Sequence, residues 1–237
     1  MKKIYILLLS LLTLCSCEEQ KITGALFSKS FLQGFIDIKE IVSGNISNND
    51  ELYFMFQGEN IARGNPLYDE LCTKYGDVSY NRYMVPFSNP CLVDTITSLD
   101  LICNTDFDNN HKKGSSLNDI AILYYSSPLE FIKSGYKEYP KTEDTTPAPY
   151  RPSKEYYPYS KSFSDLKGEE LILLYQMGYI KFLVHPLQSR QSITFRVQTK
   201  SGKTISTDFE LNFTGVYELE AFASNKNKNP RGCRSFY

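Results

Sequence analysis

Three oxygen-bearing side chains recur at alternating positions in NTDFDNNHKKGSSLNDI, residues 104–120: Asp106, Asp108 and Asn110. That spacing is how a calcium loop opens, with alternate side chains directed at one cation. The frame then fails. Its sixth position calls for Gly and holds His111, and its twelfth calls for a bidentate Glu and holds Leu117. Lys112 and Lys113 place positive charge beside the would-be cation. A turn explains more of these residues. Asp and Asn bond nearby backbone donors, and Gly114 permits an unusual backbone angle. The stretch is expected to be a structured connection after a strand, with no metal.

Thiols and imidazoles are the other reactive groups. Cys72, Cys91, Cys103 and Cys233 are candidates for disulfides, and four cysteines allow three pairings between which sequence cannot choose. Zinc is disfavoured, since there is no C-x-x-C and the chain has only His111 and His185. His185 precedes Pro186 at a strand end and reads as structural. There is no G-x-S-x-G, H-E-x-x-H, P-loop or G-x-G-x-x-G. A paired-carboxylate site among 27 acids would be a property of three-dimensional geometry. The expectation is a non-catalytic protein without a cofactor.

The N-terminus, MKKIYILLLSLLTLCSCEEQ, has a basic start at Lys2 and Lys3, then an apolar run from Ile4 to Leu14. The run is too short to span a bilayer and suits the core of a secretory signal. Leu14-Cys15-Ser16-Cys17 resembles the bacterial lipobox, with Cys17 in the lipidated position. Cleavage after Ser16 would leave a diacylglyceryl thioether, with palmitate-type chains, on Cys17, an anchor of several acyl chains. Residues 1–16 are thus expected to be a lipoprotein signal peptide, 17–24 a tether and 25–237 one domain. Glu18-Glu19 directly behind the anchor resembles the export tag of Bacteroidetes surface lipoproteins. The expected location is the outer membrane, anchored by lipid and open to surface exposure. In that exterior, disulfides persist.

Losing Lys2 and Lys3 with the signal moves the formal charge from −1 to −3, too mild to imply a nucleic-acid partner. With 41% hydrophobic residues, 18 Tyr and 15 Phe but no Trp, the composition leans towards pleated sheet.

The elements follow the hydrophobic period. Residues 35–41 alternate and read as a strand; 43–50 read as a loop and 52–56 as a buried strand. Residues 57–90 read as irregular. CLVDTITSLDLIC, residues 91–103, reads as a strand whose apolar parity breaks after Ile96. A bulge near Thr97-Ser98 would restore it and turn Leu99, Leu101 and Cys103 inward. Such a Cys103 suits a buried disulfide or a buried free thiol equally. Residues 120–125 and 180–184 read as strands, and 171–175 as a strand or a short helix. Residues 193–199 alternate without a fault, turn at Lys200-Ser201-Gly202-Lys203, and return over 204–213. Together these predict an all-β fold, an immunoglobulin-like antiparallel β-sandwich with long loops.

Residues 136–160 are dense in Tyr and Pro and read as a long, partly extended surface loop. Tyr150, Tyr156, Tyr157 and Tyr159 are its candidate ligand platform. Asp94-Thr95-Ile96 and Asp144-Thr145-Thr146 resemble O-glycosylation sites of Bacteroidetes secreted proteins. The first is expected inside a strand, so Thr145 is the favoured site.

Residues 96–120, ITSLDLICNTDFDNNHKKGSSLNDI, resemble an element of a family of uncharacterised Bacteroidetes lipoproteins, in which a strand is followed by DFD…H…GSSLND. FLVHPLQSRQSITFRVQTKSGKTISTDFELNF looks like that family's closing hairpin. With the lipobox, the likeness covers about half the chain. It implies a secreted β-sandwich with no established activity and hands over no catalytic residue. The Tyr/Pro loop and the tail NPRGCRSFY have no counterpart in it. The expected role is a binding, adhesion or assembly module of the cell envelope, with envelope proteins as partners. The alternative is a glycan-binding accessory lipoprotein working through the Tyr-rich loop.

Overall fold

The computed structural model describes residues 27–46, 50–83, 89–137 and 159–213. Cys17, Thr145, Tyr150, Tyr156, Tyr157 and Cys233 lie outside them, as do the signal and tether.

Strands with one buried face dominate. They are β1 (Phe27–Ser28), β2 (Gly34–Ile46), β3 (Glu51–Ala62), β4 (Arg82–Tyr83), β5 (Cys91–Leu92), β6 (Ile96–Cys103), β7 (Ala121–Tyr125), β8 (Tyr159–Ser162), β9 (Met177–Phe182), β10 (Arg190–Thr199) and β11 (Thr204–Asn212). Among the described residues two short α-helices interrupt them, α1 (Pro66–Lys74) and α2 (Leu129–Lys133). A six-stranded sheet, in the order β5-β2-β3-β9-β7-β8, packs on a three-stranded sheet, β11-β10-β6, and β1 pairs with β4. The fold is therefore all-β and sandwich-like. The pairing is antiparallel except at the β2–β5 edge, which is parallel through Phe35↔Cys91 and Ile36↔Leu92.

The large sheet buries both faces, in different halves. Leu52, Phe54 and Phe56 face the small sheet, where Phe54 meets Phe195 edge-on at 5.1 Å. Ile61, at odd parity on the same strand, faces the opposite way, into a second core with Phe31, Phe35, Tyr68, Leu71, Phe131 and Ile132. Those residues come largely from α1, α2 and the chain before β2. Each fully buried Phe or Leu in these layers contributes about 1.5–3 kcal/mol by leaving water. Between the halves, β2 carries an extra residue at Lys39, between the pairs Ile38↔Gly58 and Glu40↔Gln57. The bulge presses β2 onto β3 so closely that a Cβ on Gly58 would lie 1.8 Å from the Asp37 carbonyl oxygen. Only glycine fits there.

Several expectations change. Residues 57–90 contain the end of β3, all of α1 and β4. Helix α1 starts at Asn65, whose side chain accepts from the Leu67 amide at 3.0 Å, followed by Pro66 at the first helical position. β2 continues to Ile46, into the stretch read as loop. Residues 171–175 form neither strand nor α-helix. Leu171 ends a 3₁₀ turn, Gly168–Leu171, and the chain then passes through Leu173 at φ +54°. β9 ends at Phe182, which leaves Leu183 and Val184 exposed. The bulge in β6 is present, with Ser98↔Gln198 followed by Ile96↔Thr199, so that Thr97 is skipped and Ile96, Leu99, Leu101 and Cys103 are all buried. The closing hairpin turns at Gly202, φ +87°.

Candidate functional site

The 104–120 stretch covers an open strand edge. β6 pairs with β10 on one side, and on its other side the loop supplies backbone partners. Leu117 N–H donates to Leu101 O (2.8 Å), Cys103 N–H to Ser115 O (3.0 Å) and Gly114 N–H to Cys103 O (2.7 Å). Asn118 adds its side chain, Oδ1 accepting from Leu101 N at 2.9 Å. An edge so covered cannot recruit a foreign strand. The acids that suggested calcium are spent locally. Asp106 accepts the Lys113 amide at 2.9 Å, and Asp108 Oδ1 accepts the Asn110 and His111 amides at 2.7 and 2.8 Å.

His111 clasps this loop. Its Nδ1 lies 2.9 Å from Asp108 and its Nε2 3.1 Å from Asp119. Partial burial works against the imidazolium, but the hydrogen bonds to the two carboxylates outweigh it and raise the pKa above 6.5. Burial likewise works against the Asp108 carboxylate, and its bonds from His111 prevail and lower the pKa. His185 is exposed, with Nδ1 3.4 Å from Asp50 Oδ2, at the end of the sheet carrying the β2–β3 turn.

The expected disulfides are not formed by Cys72, Cys91 and Cys103, which are free and buried. Topology gives the reason for Cys103. It faces the core between the sheets, whereas Cys72 and Cys91 lie in the helix-covered core behind the large sheet. Cys103 Sγ sits 2.9 Å from Lys112 O and 3.3 Å from Ser115 O, so the thiol helps fix the edge-covering loop. Burial pushes the Cys72 and Cys91 thiols up, which makes them poor nucleophiles. Thr95 lies in the bend ahead of β6 rather than inside a strand, and its amide donates to Asp94 at 2.9 Å.

Two tyrosines assigned to the surface loop belong to the folded body. Tyr136 is buried, at φ +63°, and donates its hydroxyl to Asp77 at 2.9 Å. Burial, with the Asp77 charge beside it, pushes its pKa up to about 12. Tyr159 opens β8 and stacks on Tyr125, ring centroids 5.5 Å apart. A different set of tyrosines comes together across strands. Tyr53 and Tyr124 flank Tyr179 on the large sheet's outer face, at 5.1 and 4.4 Å. Tyr124 and Tyr179 stack face to face at 7°. Period-2 parity in 52–56 and 121–125 was the available signal for the outward Tyr53 and Tyr124. Which strands would be neighbours was not readable.

A cleft of about 470 Å³ opens at the helix-covered end, where three parts of the chain meet. Ile38 and Ile61 of the large sheet and Leu67 and Leu71 of α1 give it apolar walls, and the β10–β11 turn closes it with Ser201 and Lys203. Its rim is internally braced. Asp94 Oδ2 accepts the Ser201 amide at 2.9 Å, and Lys203 donates to Asp37 at 3.2 Å and to the Ile38 carbonyl. Burial tends to raise the Asp94 pKa, but the bonds from Ser201, Thr199 and Thr95 lower it. A cleft with a fixed rim loses little order when a ligand enters, which favours recognition. Comparison with known protein families, with curated proteins and with solved structures gives no match.

Proposed function

We propose that this chain is a cell-envelope lipoprotein, anchored through Cys17 to the outer membrane, that acts as a non-catalytic binding or assembly module. Its resemblance to Bacteroidetes lipoproteins belongs to the same reading. The observation that carries the binding role is the braced cleft between β2–β3, α1 and the β10–β11 turn. The side chains best suited to chemistry have structural work instead. His111 is held by two carboxylates, and the three described thiols are buried.

A photo-crosslinking residue placed at Leu67, on the cleft wall, should trap an envelope component in whole cells. The same residue at Glu210, exposed on β11, should not. No product from Leu67, or equal products from both, would remove the cleft as the binding site. Labelling with an alkyne fatty acid, abolished by Cys17→Ala, tests the anchor, and protease shaving of intact cells tests surface exposure.

The glycan-binding alternative rests on the Tyr-rich loop, of which only Tyr159 among the four platform residues is described. One face of its ring is occupied by Tyr125. A glycan array that responds to the combined Tyr→Ala change at 150, 156, 157 and 159 would favour that reading over the cleft.

A further inference from the structure

A second hollow, about 250 Å³, opens where β7, β8 and the chain around α2 meet. Its aromatic wall is the stacked pair Tyr125 and Tyr159, and Leu129 and Ile172 supply an aliphatic wall. Glu130, Glu169 and Glu170 line it, and no lysine or arginine does among the described residues. Glu170 is engaged by Lys161 and accepts the Lys167 amide at 3.1 Å, and Glu130 pairs with Lys133 at 3.0 Å. Glu169 is exposed on the same rim and contributes a further carboxylate.

Each feature selects the same ligand chemistry. Aromatic rings carry negative π-faces that attract cations, and carboxylates reinforce them. Aliphatic walls accept the methylene stem that carries an ammonium or guanidinium group. Among the described residues, no three His, Cys, Asp or Glu side chains converge closely enough to hold a metal ion. The carboxylates instead surround a volume suited to one side-chain-sized organic cation. The tyrosine π-faces disfavour an anion, and the Glu169 carboxylate adds to that, while Glu130 and Glu170 are paired with Lys133 and Lys161. Burial, with Glu170 and then Tyr159 nearby, pushes the Tyr125 hydroxyl up to about 12, so it stays neutral and can donate a hydrogen bond.

We infer that the hollow between Tyr125–Tyr159 and Glu130–Glu169–Glu170 binds an alkylammonium or alkylguanidinium group, with Glu169 as its principal counter-charge. The inference is independent of the cleft and of any role assigned to it. A cationic side chain of a polypeptide and a free amine share this chemistry, and two probes separate them.

The test is an NMR titration of the full chain with ring-labelled tyrosine. N-acetylargininamide represents the peptide side chain, putrescine the free amine, and N-acetylcitrullinamide the uncharged isostere. The expected result is saturable shifts of the Tyr125 and Tyr159 rings with a cationic probe, while Tyr124 and Tyr179 stay in place. The citrulline probe should give none. Glu169→Gln, a change at an exposed side chain, should weaken binding about five-fold. Thermal melting of that variant serves as the folding control. Response to argininamide alone assigns a peptide ligand, and response to putrescine alone a free amine. Equal binding of the citrulline probe, unchanged affinity in Glu169→Gln, or no shift at Tyr125 and Tyr159 would each overturn the inference.

Discussion

Asp77 and Asp108 both tie a loop to the body of the protein, and they do so by different physics. Asp77 is fully buried, and among the described residues no cation bonds to it. Its oxygens accept the amides of Phe31 and Leu32, each at 2.8 Å, and the Tyr136 hydroxyl. It thereby joins the chain before β2, the turn after α1 and the segment after α2 in the helix-covered core. Asp108 is near the surface and shares the His111 imidazolium with Asp119, which is largely exposed. The first node depends on desolvated hydrogen bonds that have no substitute once broken. The second depends on charge, with water at hand to replace what is lost. The helix-covered end should therefore fail as a unit. The edge-covering loop should loosen locally and respond to pH.

Asp77→Ala probes that contrast most severely. It orphans two buried N–H groups and a hydroxyl, and should cost about 3–5 kcal/mol in chemical denaturation. Asp77→Asn, which keeps one acceptor oxygen, should cost clearly less. A loss under about 1 kcal/mol for the alanine variant would show that the end is held by its aromatic packing alone.

Gly58→Ala tests the junction between the two halves of the large sheet. Its Cβ would meet the Asp37 carbonyl, so β2 and β3 must part, at about 2–3 kcal/mol. Both cores should weaken together, read as one cooperative transition. Two separated transitions would show that the halves are independent.

His111→Ala should cost about 1–2 kcal/mol and act on the loop more than on the whole. Amide exchange at Gly114, Leu117 and Cys103 should accelerate, with little change at the helix-covered end. The pH dependence follows from the signs. The raised His111 pKa means its contribution is complete below about 6.5 and is lost as pH rises through the higher folded-state value. The lowered Asp108 pKa means its contribution is present above about 3.8 and is lost as pH falls through the lower folded-state value. The clasp is therefore tightest in the acidic window between them. Exchange at Leu117 that is flat from pH 5 to 8, after correction for intrinsic rates, would refute it.

Lys203→Ala is the mildest change. Lys203 and Asp37 are both substantially exposed, so removing their pair should cost no more than about 0.5–1 kcal/mol. Its use is to ask whether the cleft rim matters for ligand capture separately from stability. Reduced crosslinking from Leu67 with an unchanged melting temperature would show that it does.

The bulge at Thr97 was legible because an apolar parity error has few cures. The closing hairpin was legible because Gly202 and uninterrupted alternation specify it locally. Helix α1 was readable in principle from Asn65-Pro66, a cap followed by the residue favoured at a helix start. Its weak amphipathicity hid it. Tyr136 reads as loop in sequence because its neighbours are loop-like, and only the distant Asp77 explains its burial. The cysteine expectation had the compartment as its argument, yet the large sheet separates Cys103 from Cys72 and Cys91.

Alternation along the chain already specifies the strand-rich class, the inward faces of β6, β10 and β11, and a structured connection over 104–120. These are decided by neighbours a few residues apart, through side-chain alternation and local hydrogen bonding. Tertiary structure alone decided which face of the large sheet each thiol meets, that Asp77 bonds Phe31, Leu32 and Tyr136, and that Tyr125 and Tyr159 meet three glutamates around one hollow. Those contacts join residues far apart in the chain. They depend on strand order, which one-dimensional periodicity does not encode.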